Sequence, residues 1–578
     1  MRTSGISQSQ FSALIAKTDM RRIEELVKEQ GAKKWREYVQ KNARKLAKSS
    51  TTQGITTGLG LNFIDLRAPA YMLDPIYTPI RNTTPRWDKV NAGYGIQPQW
   101  KAITAIDATN QFPGVSEGNT NSYGSFTEVN YSSPYVTLGT DDFVTYEGVS
   151  ASEGYEDALG DGKMWELLRF VRMQERTYLG GAGTTASNGA LQIGTTNTPA
   201  GVLSSLNNAA YVIGVLPVGS YAAAYAVALN YRAAVNPLNT VANGIVTQYL
   251  RSNADGSTDI INGGTAAISA ASAVAGPTVS GTKTIQFSST PQAGAWGYAW
   301  FIQVNTTTTF TANPALAKLA GFTSNSTFNY YGQTVGTQTA AYAGSGGYAG
   351  FATDLSTNAL DMDGLLTIAS NSNYTTGLPT FTYPASVTQT ALAGGVDLHG
   401  AGLTNGGLVG SIVEIDTILY SIQQAALTSP TRIYISTDQV AAFRAAFLVG
   451  ATGSAQANFF FPNGGRDVAD IAINNYIAQY DNVYGLGGNH MVDVIQHPYL
   501  PAGTILFDVD NLGVAYENSR LGETRGVFVR RDTYGIEFAQ TSRKYPFGVF
   551  SEEVLAVKTP NIIAYIKGAG KFGATNLF

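Results

Sequence analysis

Two aspartates near the C-terminus stand at a spacing that could serve a metal ion. In "HPYLPAGTILFDVDNLGVAYE", which starts at His497, Asp508 and Asp510 lie two residues apart. Aligned on them, a calcium-binding EF-hand loop would need an oxygen ligand where Leu512 stands and an acid where Ser519 stands. The segment "DMDG" from Asp361 fails in the same way, because an apolar leucine occupies the required glycine position. We therefore predict no metal site.

Three motifs could indicate catalysis or nucleotide binding. "GVSEG" places Ser116 in a nucleophile-elbow pattern, but the flanking "ATNQFP" and "NTNSYG" supply neither the apolar strand nor the helix that an elbow requires. Lys163 follows a glycine but precedes a methionine, so no phosphate-binding P-loop forms. "GAGTTA" from Gly181 ends a predicted helix, whereas a dinucleotide fingerprint follows a strand. These patterns predict neither an enzyme nor a cofactor.

Histidine and cysteine chemistry is scarce as well. The chain has no cysteine and three histidines, of which His490 and His497 flank the apolar "MVDVIQ". A strand directs residues seven apart to opposite faces, so these two cannot ligate one ion together. We interpret them as polar histidines at strand ends.

Composition indicates a folded protein with an unusually uncharged surface. The 578 residues are enough for several domains, and charged residues make up 13% of them against a typical share of about 25%. Few charges indicate burial against partners or a β-rich exterior covered by Thr, Ser and Asn. The N-terminus lacks the apolar core and cleavage site of a secretory signal, which predicts synthesis in the cytoplasm.

The longest uncharged stretch, "NNAAYVIGVLPVGSYAAAYAVALNY" from Asn207, exceeds the ~20 residues of a membrane span. Pro217 and Gly219 interrupt it, and its second half alternates at period two. It therefore predicts two strands joined by a turn, and no membrane partner.

Charge is distributed unevenly along the chain. Residues 1–50 carry twelve Lys/Arg against five Asp/Glu and have the pattern of two short basic helices, which could be a solvated face or a site for nucleic acid or an acidic partner. From Ala102 to Gly162 there are ten acids and no lysine or arginine. The alternating "FTEVNYSSPYVTLG" and "DDFVTYEGVS" predict a long acidic hairpin or extended arm in this region.

Three further patterns predict the elements that would position these segments. A long helix follows the acidic segment, with one face formed by Leu167, Val171, Gln174 and Tyr178. A small β-sandwich is predicted at about 197–335. Within it, side chains of "GAWGYAWFIQV" alternate between the two faces of a strand, and one face is formed by Trp296, Tyr298, Trp300, Ile302 and Val304. An amphipathic helix is set by Leu408, Ile412, Ile415, Leu419, Ile422 and Ala426. A strand ("TRIYIS"), a helix capped by Thr437 or Asp438, and further strands complete an α+β chain with a β insertion.

The C-terminal third resembles a known family. The opening segment and "FVRRDTYGIEFAQTSRKYPFGVFSEEVLAVKTPNIIAYIKG" resemble the closing segments of tailed-bacteriophage major capsid proteins with the Hong Kong 97-type coat fold. The upstream order of charged arm, extended loop and long spine helix is similar too. The resemblance implies that the chain from 500 to 509 is a β segment, ended by a polar turn of Asp508, Asp510 and Asn511, in which Asx side chains bond their own backbone.

The resemblance implies a fold with the arm, loop and spine helix, peripheral and axial domains, and an inserted immunoglobulin-like or fibronectin III-like sandwich. The expected segments are an N-terminal arm (1–99), an extended loop (100–152), the spine helix and start of the peripheral domain (153–196), the insertion (197–335), the axial domain (336–490), and peripheral strands with the C-terminus (491–578).

The implied function is self-assembly, through hexamers and pentamers, into the icosahedral head shell that encloses double-stranded DNA. Further expected partners are scaffolding, portal or decoration proteins and, non-specifically, the packaged DNA. The expected location is the virion, after assembly in the host cytoplasm. Another β-rich assembly protein, such as a phage tail tube or surface-layer subunit, is the alternative, and a hydrolase using Ser116 or a carboxylate pair is a third class.

The charge distribution gives a hypothesis for the subunit contacts. An acidic loop lying over a neighbouring subunit would need a positive surface, either the basic arm or the spine helix. The interface residues predicted on this ground are Asp141, Asp142, Glu147, Arg169, Arg172 and Arg176. Some relatives join a loop lysine to a neighbour's asparagine. Because the loop here has no lysine and only Lys101 and Lys163 flank it, we predict a non-covalent shell.

Overall fold

The computed structural model describes most of the chain between residues 76 and 570. The described residues are 76–87, 95, 97–106, 114–120, 126–153, 156–183, 193–204, 216, 219–235, 244–253, 255–276, 284–333, 336–344, 349–371, 390–392, 394–406, 411–448, 479–485, 490–510, 512, 522–540 and 542–570. The predicted basic helices of residues 1–50 lie outside these ranges, and so does the first strand predicted before Pro217. The architecture is mixed α+β, with most regular structure in sheets.

The first part of the described chain contains the predicted long helix. Its elements are α1 (Pro79–Thr83), β1 (Arg86–Trp87), β2 (Gln99–Ile106), β3 (Phe126–Ser132), β4 (Val136–Thr145), α2 (Tyr146–Ser152) and α3 (Ala158–Gly180). Helix α3 begins where the Asp157 carboxylate accepts a hydrogen bond from the Gly160 N–H at 3.1 Å. Its predicted inner face is confirmed, since all four side chains are buried: Leu167, Val171, Gln174 and Tyr178.

The middle part of the chain is mostly strands. Its elements are β5 (Ala200–Ser204), β6 (Tyr221–Leu229), α4 (Tyr231–Val235), β7 (Gln248–Ser252), β8 (Thr258–Asn262), β9 (Thr284–Ser288), β10 (Gly297–Asn305), β11 (Lys318–Thr323) and β12 (Thr327–Tyr330). They form two three-stranded sheets, β11-β10-β6 and β12-β9-β5, and the hairpin β7-β8. None of the helices in the described part of the chain is long and apolar enough to span a membrane.

The two three-stranded sheets share one apolar core. Tyr298, Trp300 and Ile302 of β10 lie in it, as the alternating pattern predicts, together with Ile285 and Phe287 of β9. The opposite side of β10 is buried too, because other segments of the chain cover it in a second cluster that includes Ala299, Phe301 and Phe351. Packed sheets of this kind agree with a small β-sandwich. An immunoglobulin-like identity for it stays a prediction.

The last part of the chain forms a larger sheet with its helices. Its elements are α5 (Leu365–Ser370), β13 (Thr390–Leu392), β14 (Gly395–Asp397), α6 (Val413–Ala426), β15 (Arg432–Ser436), α7 (Val440–Leu448), β16 (Gln479–Asn482), β17 (His490–His497), β18 (Ile505–Asp508), β19 (Arg525–Glu537), β20 (Lys544–Val557) and β21 (Ala564–Lys567). A seven-stranded sheet has the order β13-β14-β21-β18-β15-β17-β16. Of the predicted stripe, Ile412, Ile415, Leu419 and Ile422 pack against this sheet, and Ala426 is buried in a neighbouring cluster. Leu408 lies outside the described residues.

A four-stranded sheet with the order β1-β19-β20-β4 carries α3 on one face. Strand β4 pairs with β20 along its whole length, from Val136 opposite Glu553 to Thr145 opposite Lys544. Among the strands that the structure describes, β2 and β3 pair only with each other. The segment predicted as one extended loop, 100–152, therefore divides into a two-stranded hairpin, a sheet strand and the short helix α2.

The two ends of the β insertion lie side by side, where α3 leads into it and α5 follows it. The Asp361 carboxylate accepts a hydrogen bond from the Ala182 N–H at 3.1 Å, and the Asp363 carboxylate accepts one from the Gly183 N–H at 2.9 Å. Arg232 of α4 also donates to Asp361, with Nη2 2.6 Å from Oδ1. The chain thus leaves and returns at Ala182–Asp363, a longer stretch than the predicted 197–335.

Candidate subunit-contact surfaces

The aspartates after β18 form buried ion pairs. Asp508 is 1% exposed, and its Oδ2 lies 2.5 Å from Nη2 of Arg525, which is 2% exposed. Asp510 contacts the same guanidinium at 3.3 Å and also pairs with Arg432. The prediction that Asp508 is a turn residue is therefore corrected: it ends a buried strand and neutralises a buried arginine. Asn511 lies outside the described residues.

The two C-terminal histidines lie at opposite ends of β17, as predicted. His497 is fully buried, and its Nε2 lies 2.7 Å from Oε1 of Glu175 on α3. The Tyr499 N–H donates to His497 Nδ1 at 3.2 Å, which leaves the Nε2 proton for Glu175. Within the described ranges, no three or more His, Asp or Glu side chains gather in a way that could hold a metal ion.

Glu175 joins three segments of the chain. Besides His497, its carboxylate accepts hydrogen bonds from the N–H groups of Ile80 at 3.0 Å and Arg81 at 2.7 Å, which open the short helix α1. The sequence offered one signal for this role, an acid next to Gln174 on the buried face of a predicted helix. The role itself depends on contacts between residues more than 90 positions apart.

Ser116, the predicted elbow position, lies in the described segment 114–120. Its Oγ accepts a hydrogen bond from Asn119 Nδ2 at 2.7 Å, and both side chains are exposed. A neighbouring amide cannot act as the general base that a serine nucleophile needs. This geometry gives the hydrolase alternative no support.

The predicted acidic interface residues lie on β4 and α2. Asp141 and Asp142 are exposed on β4, and Glu147 on α2 pairs with Arg543 at 2.7 Å. Burial raises the pKa of the Asp141 carboxyl, against the opposing influence of Arg251 and Arg169. Arg169 of the same chain thus lies within electrostatic reach of Asp141, and the contact between subunits stays a prediction.

The predicted arginines lie along the solvent side of α3. Nη1 of Arg169 is 3.4 Å from Oε2 of Glu166, the Arg176 guanidinium lies 4.9 Å above the Tyr499 ring, and Arg172 is half-buried. Two large apolar side chains share this side and are exposed. We call the set the α3 stripe: Trp165, Arg169, Arg172, Met173 and Arg176. The distribution of charge along the sequence pointed to the three arginines but not to Trp165 and Met173. A single exposed apolar residue on a helix leaves the periodic pattern of buried residues unchanged, so nothing in the sequence marks it.

The β2-β3 hairpin has one attached face and one free face. On the attached face, Trp100 stacks on Tyr131 with ring centroids 6.0 Å apart and contacts Phe528 of β19 at the same distance. These contacts anchor the base of the hairpin to the four-stranded sheet.

The free face of the hairpin is apolar at its far end. Ile106 pairs directly with Phe126, and the exposed fractions of Ile103, Ile106 and Phe126 are 60%, 76% and 67%. Nearer the base, Lys101 Nζ lies 2.5 Å from Glu128 Oε1. An isolated two-stranded hairpin is at best marginally stable in water, and three clustered exposed apolar side chains indicate a surface that another molecule covers.

Comparisons with known proteins were made at the level of sequence and of structure. No family model matches the sequence, and neither does any curated protein. Among solved structures, the chain is similar to the capsid of the native GTA particle, with 7% identity and a TM-score of 0.36 over 89% of this chain and 100% of that one. It is similar to the capsid of Myoviridae phage XM1, with 9% identity and a TM-score of 0.33 over 89% and 100%. The mature capsid of bacteriophage PhiM1 gives 6% identity and a TM-score of 0.33 over 90% and 97%.

These neighbours are capsid proteins of phages and related particles. At such identities and TM-scores, the function has to be argued from the surfaces of this chain itself.

The two lysines that flank the predicted loop are both engaged in ion pairs. Lys101 pairs with Glu128, as described above, and the buried Lys163 pairs with Glu537 of β19. An amine that attacks a neighbour's side chain must be neutral and accessible. Lys163 is buried and fails this requirement, whereas the Lys101 side chain is 69% exposed, so the non-covalent shell stays a prediction.

Proposed function

We propose that the chain is the major capsid protein of a tailed bacteriophage, which self-assembles into an icosahedral shell around double-stranded DNA. The observation that carries the proposal is the free face of the β2-β3 hairpin. It exposes Ile103, Ile106 and Phe126 at the end of a hairpin whose base is packed on its own sheet. Such a hairpin is stable when a second copy covers it.

The order of elements supports the same proposal. The hairpin precedes a 23-residue helix, which packs on a four-stranded sheet and leads to a larger sheet completed by the C-terminus. The resemblance implies this order of extended loop, spine helix, peripheral domain and axial domain. The insertion, with its two packed sheets, would then be an additional surface module.

The charged contacts belong to the proposal as well. Asp141, Asp142 and Glu147 would face the arginines of a neighbouring subunit, Arg169, Arg172 and Arg176. Each exposed pair contributes only about 0.2 to 1 kcal/mol, but a shell repeats the contact in every subunit. The shell would be non-covalent, because the predicted loop has no lysine between Ala102 and Gly162 and the flanking Lys163 is buried.

Further partners follow from the same assignment. Scaffolding, portal or decoration proteins would bind the shell, the basic residues 1–50 would contact packaged DNA or a scaffold, and the protein would reside in the virion after assembly in the host cytoplasm. Neutralising phosphates with lysine and arginine requires no base sequence, so the DNA contact would be non-specific.

The test is electron microscopy of the full chain, expressed alone and with candidate scaffolding proteins of its genome, after separation by size. Closed shells, or rings of five and six subunits, are the expected result. Tubes or flat lattices would favour the alternative, a tail-tube or surface-layer subunit. Monomers in every preparation would contradict an assembly function altogether.

A further inference from the structure

A lysine and an aspartate face each other inside the seven-stranded sheet. Asp397 ends β14 and Lys567 ends β21, and the two residues are direct partners in the parallel pairing of these strands. The side chains of Lys567 and Asp397 are 3% and 1% exposed, and Nζ lies 3.6 Å from Oδ2. Neither residue belongs to the surfaces proposed above for contacts between subunits.

The amine of Lys567 has two further polar neighbours, and both are backbone carbonyls of the β insertion. Nζ donates to the carbonyl oxygens of Gln292 and Ala295, the latter at 2.8 Å. The centroid of the Trp296 ring lies 5.8 Å from Nζ. A neutral amine has two N–H bonds and one lone pair. With its two N–H groups directed at the two carbonyls, the lone pair is left for the third neighbour, the carboxyl group of Asp397.

Burial favours a state of this pair without charges. It lowers the pKa of the Lys567 amine, against the opposing influence of Asp397. Two charges removed from water carry a large desolvation cost, which their mutual attraction does not always repay. Transfer of one proton from Nζ to Oδ2 cancels both charges at once and leaves a neutral amine beside a carboxylic acid. A desolvated lysine in this form is a nucleophile.

The backbone polarises the carboxyl group of Asp397. The His399 N–H donates to its Oδ1 at 2.7 Å. When an amine adds to Cγ, negative charge develops on that oxygen, and a hydrogen-bond donor already in place stabilises the charge. The nucleophile and the carboxyl group are also held in contact by the pairing of their strands, so little freedom of motion has to be lost before they react.

We propose that Lys567 and Asp397 condense into an amide bond within one chain. The nitrogen attacks Cγ, a C–N bond forms, and the C–O bond to Oδ2 breaks. Oδ2 takes the bonding electron pair and leaves as water, with one proton transferred from Nζ before the attack and a second one lost from the nitrogen afterwards. The ammonium and the carboxylate contain all the atoms of one amide and one water, so the step needs no oxidant, cofactor or second substrate.

The bond would fix β21, the last strand that the structure describes, to its neighbour β14. It would close a loop from residue 397 to residue 567, which contains α6, α7 and the β19-β20 pair. A cross-link restricts the unfolded chain more when the loop that it closes is long. The bond lies within a single chain, so it does not depend on the assembly proposed above.

The test is the intact mass of the purified full chain, measured by electrospray mass spectrometry after unfolding. The expected mass is that of the sequence less one water. Trypsin then locates the bond, because it does not cut after an acylated lysine. The peptide 559–571 should stay whole and should be joined to the peptide 319–432, which contains Asp397.

A variant and a second ion pair serve as controls. Lys567→Arg keeps a cation in the site but has no amine, so its mass should equal that of its sequence. It should also migrate differently from the unmodified chain in denaturing gels, since its loop stays open. Lys163 pairs with Glu537, whose side chain is 56% exposed. Trypsin should cut after Lys163 and release no joined peptide there.

The outcomes decide between a bond and an ion pair. A chain that unfolds cooperatively in urea, has the full mass of its sequence and is cut after Lys567 would overturn the inference. A missing water that maps to Asp255 or Asp363 would overturn it as well, because each precedes a glycine and could form a succinimide. Monomers with the joined peptide would support the bond and contradict only the proposed assembly.

Discussion

Two buried carboxylates, Asp508 and Glu175, have partners that come from other segments of the chain. Asp508 pairs with Arg525, and Glu175 accepts from His497 and from the backbone of α1. The sequence shows these residues but not the pairs, because pairing depends on strand order and on which helix covers which sheet. Asp508 looks like a turn residue for this reason: a polar residue at the end of an apolar run has the same pattern whether it is exposed or buried.

The Asp508–Arg525 pair predicts a large loss of stability when one charge is removed. Asp508→Asn leaves a guanidinium that is 2% exposed with only Asp510 to balance it, at 3.3 Å. We expect a decrease of about 3 kcal/mol in the free energy of unfolding, measured by urea denaturation. The control Asp493→Asn, on an exposed position of β17, should cost less than about 0.5 kcal/mol. Equal effects of the two substitutions would contradict a structural role for the pair.

Three buried tyrosines predict that the folded state loses stability at alkaline pH. Burial raises the pKa of Tyr178, Tyr231 and Tyr298 above the ordinary phenol value of 10. Above pH 10 the unfolded chain loses these protons while the folded chain keeps them, so stability falls as pH rises, by up to about 1.4 kcal/mol per pH unit for each tyrosine. Unfolding followed by circular dichroism from pH 9 to 12 measures this slope.

Tyr231→Phe should reduce the loss of unfolding free energy per pH unit above pH 10 by the contribution of one tyrosine. Tyr249→Phe, at an exposed position, should leave the slope as it is. If Tyr231→Phe has the same alkaline slope as the unmodified chain, the phenol of Tyr231 ionises freely in the folded state and the prediction is wrong.

Individual elements were more predictable than their partners. The stripe of α3 and that of α6 depend on local periodicity, and both are buried as expected. Strand β4 was recognised as a strand, but its neighbour β20 lies some 400 residues away, so the sequence alone joined β4 to the hairpin. The sequence did not predict the free face of the hairpin. Alternation of residue types along a strand shows that its two faces differ, but it does not show which face packs on the rest of the protein.

The end of α3 predicts a steric effect at one glycine. A Cβ at Gly180 would lie 2.1 Å from Cγ of Tyr231, which is fully buried in α4. Gly180→Ala should therefore lower the free energy of unfolding by roughly 1 to 3 kcal/mol, measured by urea denaturation. Gly402→Ala, where no atom lies within 4 Å of the new Cβ, should have little effect. Full stability of Gly180→Ala would show that α3 and α4 can separate at this point.

At the scale of the whole molecule, the resemblance was the most informative feature of the sequence, because no motif indicated chemistry. The structure adds two surfaces that the proposed shell subunit would use: a hairpin with an exposed apolar face and the α3 stripe. Which of these surfaces touch one another in an assembly depends on symmetry, which a single chain does not contain.

Charge reversal on β4 tests the proposed electrostatic contact between subunits. Asp141→Lys together with Asp142→Lys places two cations near Arg169 and Arg251, and it removes the acids proposed to face a neighbour's α3 stripe. We expect shells to be absent in electron micrographs, while far-ultraviolet circular dichroism stays unchanged. The control Asp481→Lys with Asp493→Lys makes the same change in net charge on β16 and β17 and should still assemble. Normal shells from the β4 variant would rule out the contact.

The adjacency of the two ends of the insertion also bears on how the chain folds. Bringing together the two ends of a loop of roughly 180 residues costs about 4 to 5 kcal/mol in chain entropy. A module that folds first with its ends side by side removes most of that cost before Gly183 and Asp361 meet. The hydrogen bonds that the carboxylates of Asp361 and Asp363 accept then hold the two adjacent ends together. A foreign domain with adjacent termini could replace the natural module at this joint if it also supplied the packing that Tyr231 and Trp296 give to the main core, against Tyr499 and Tyr565.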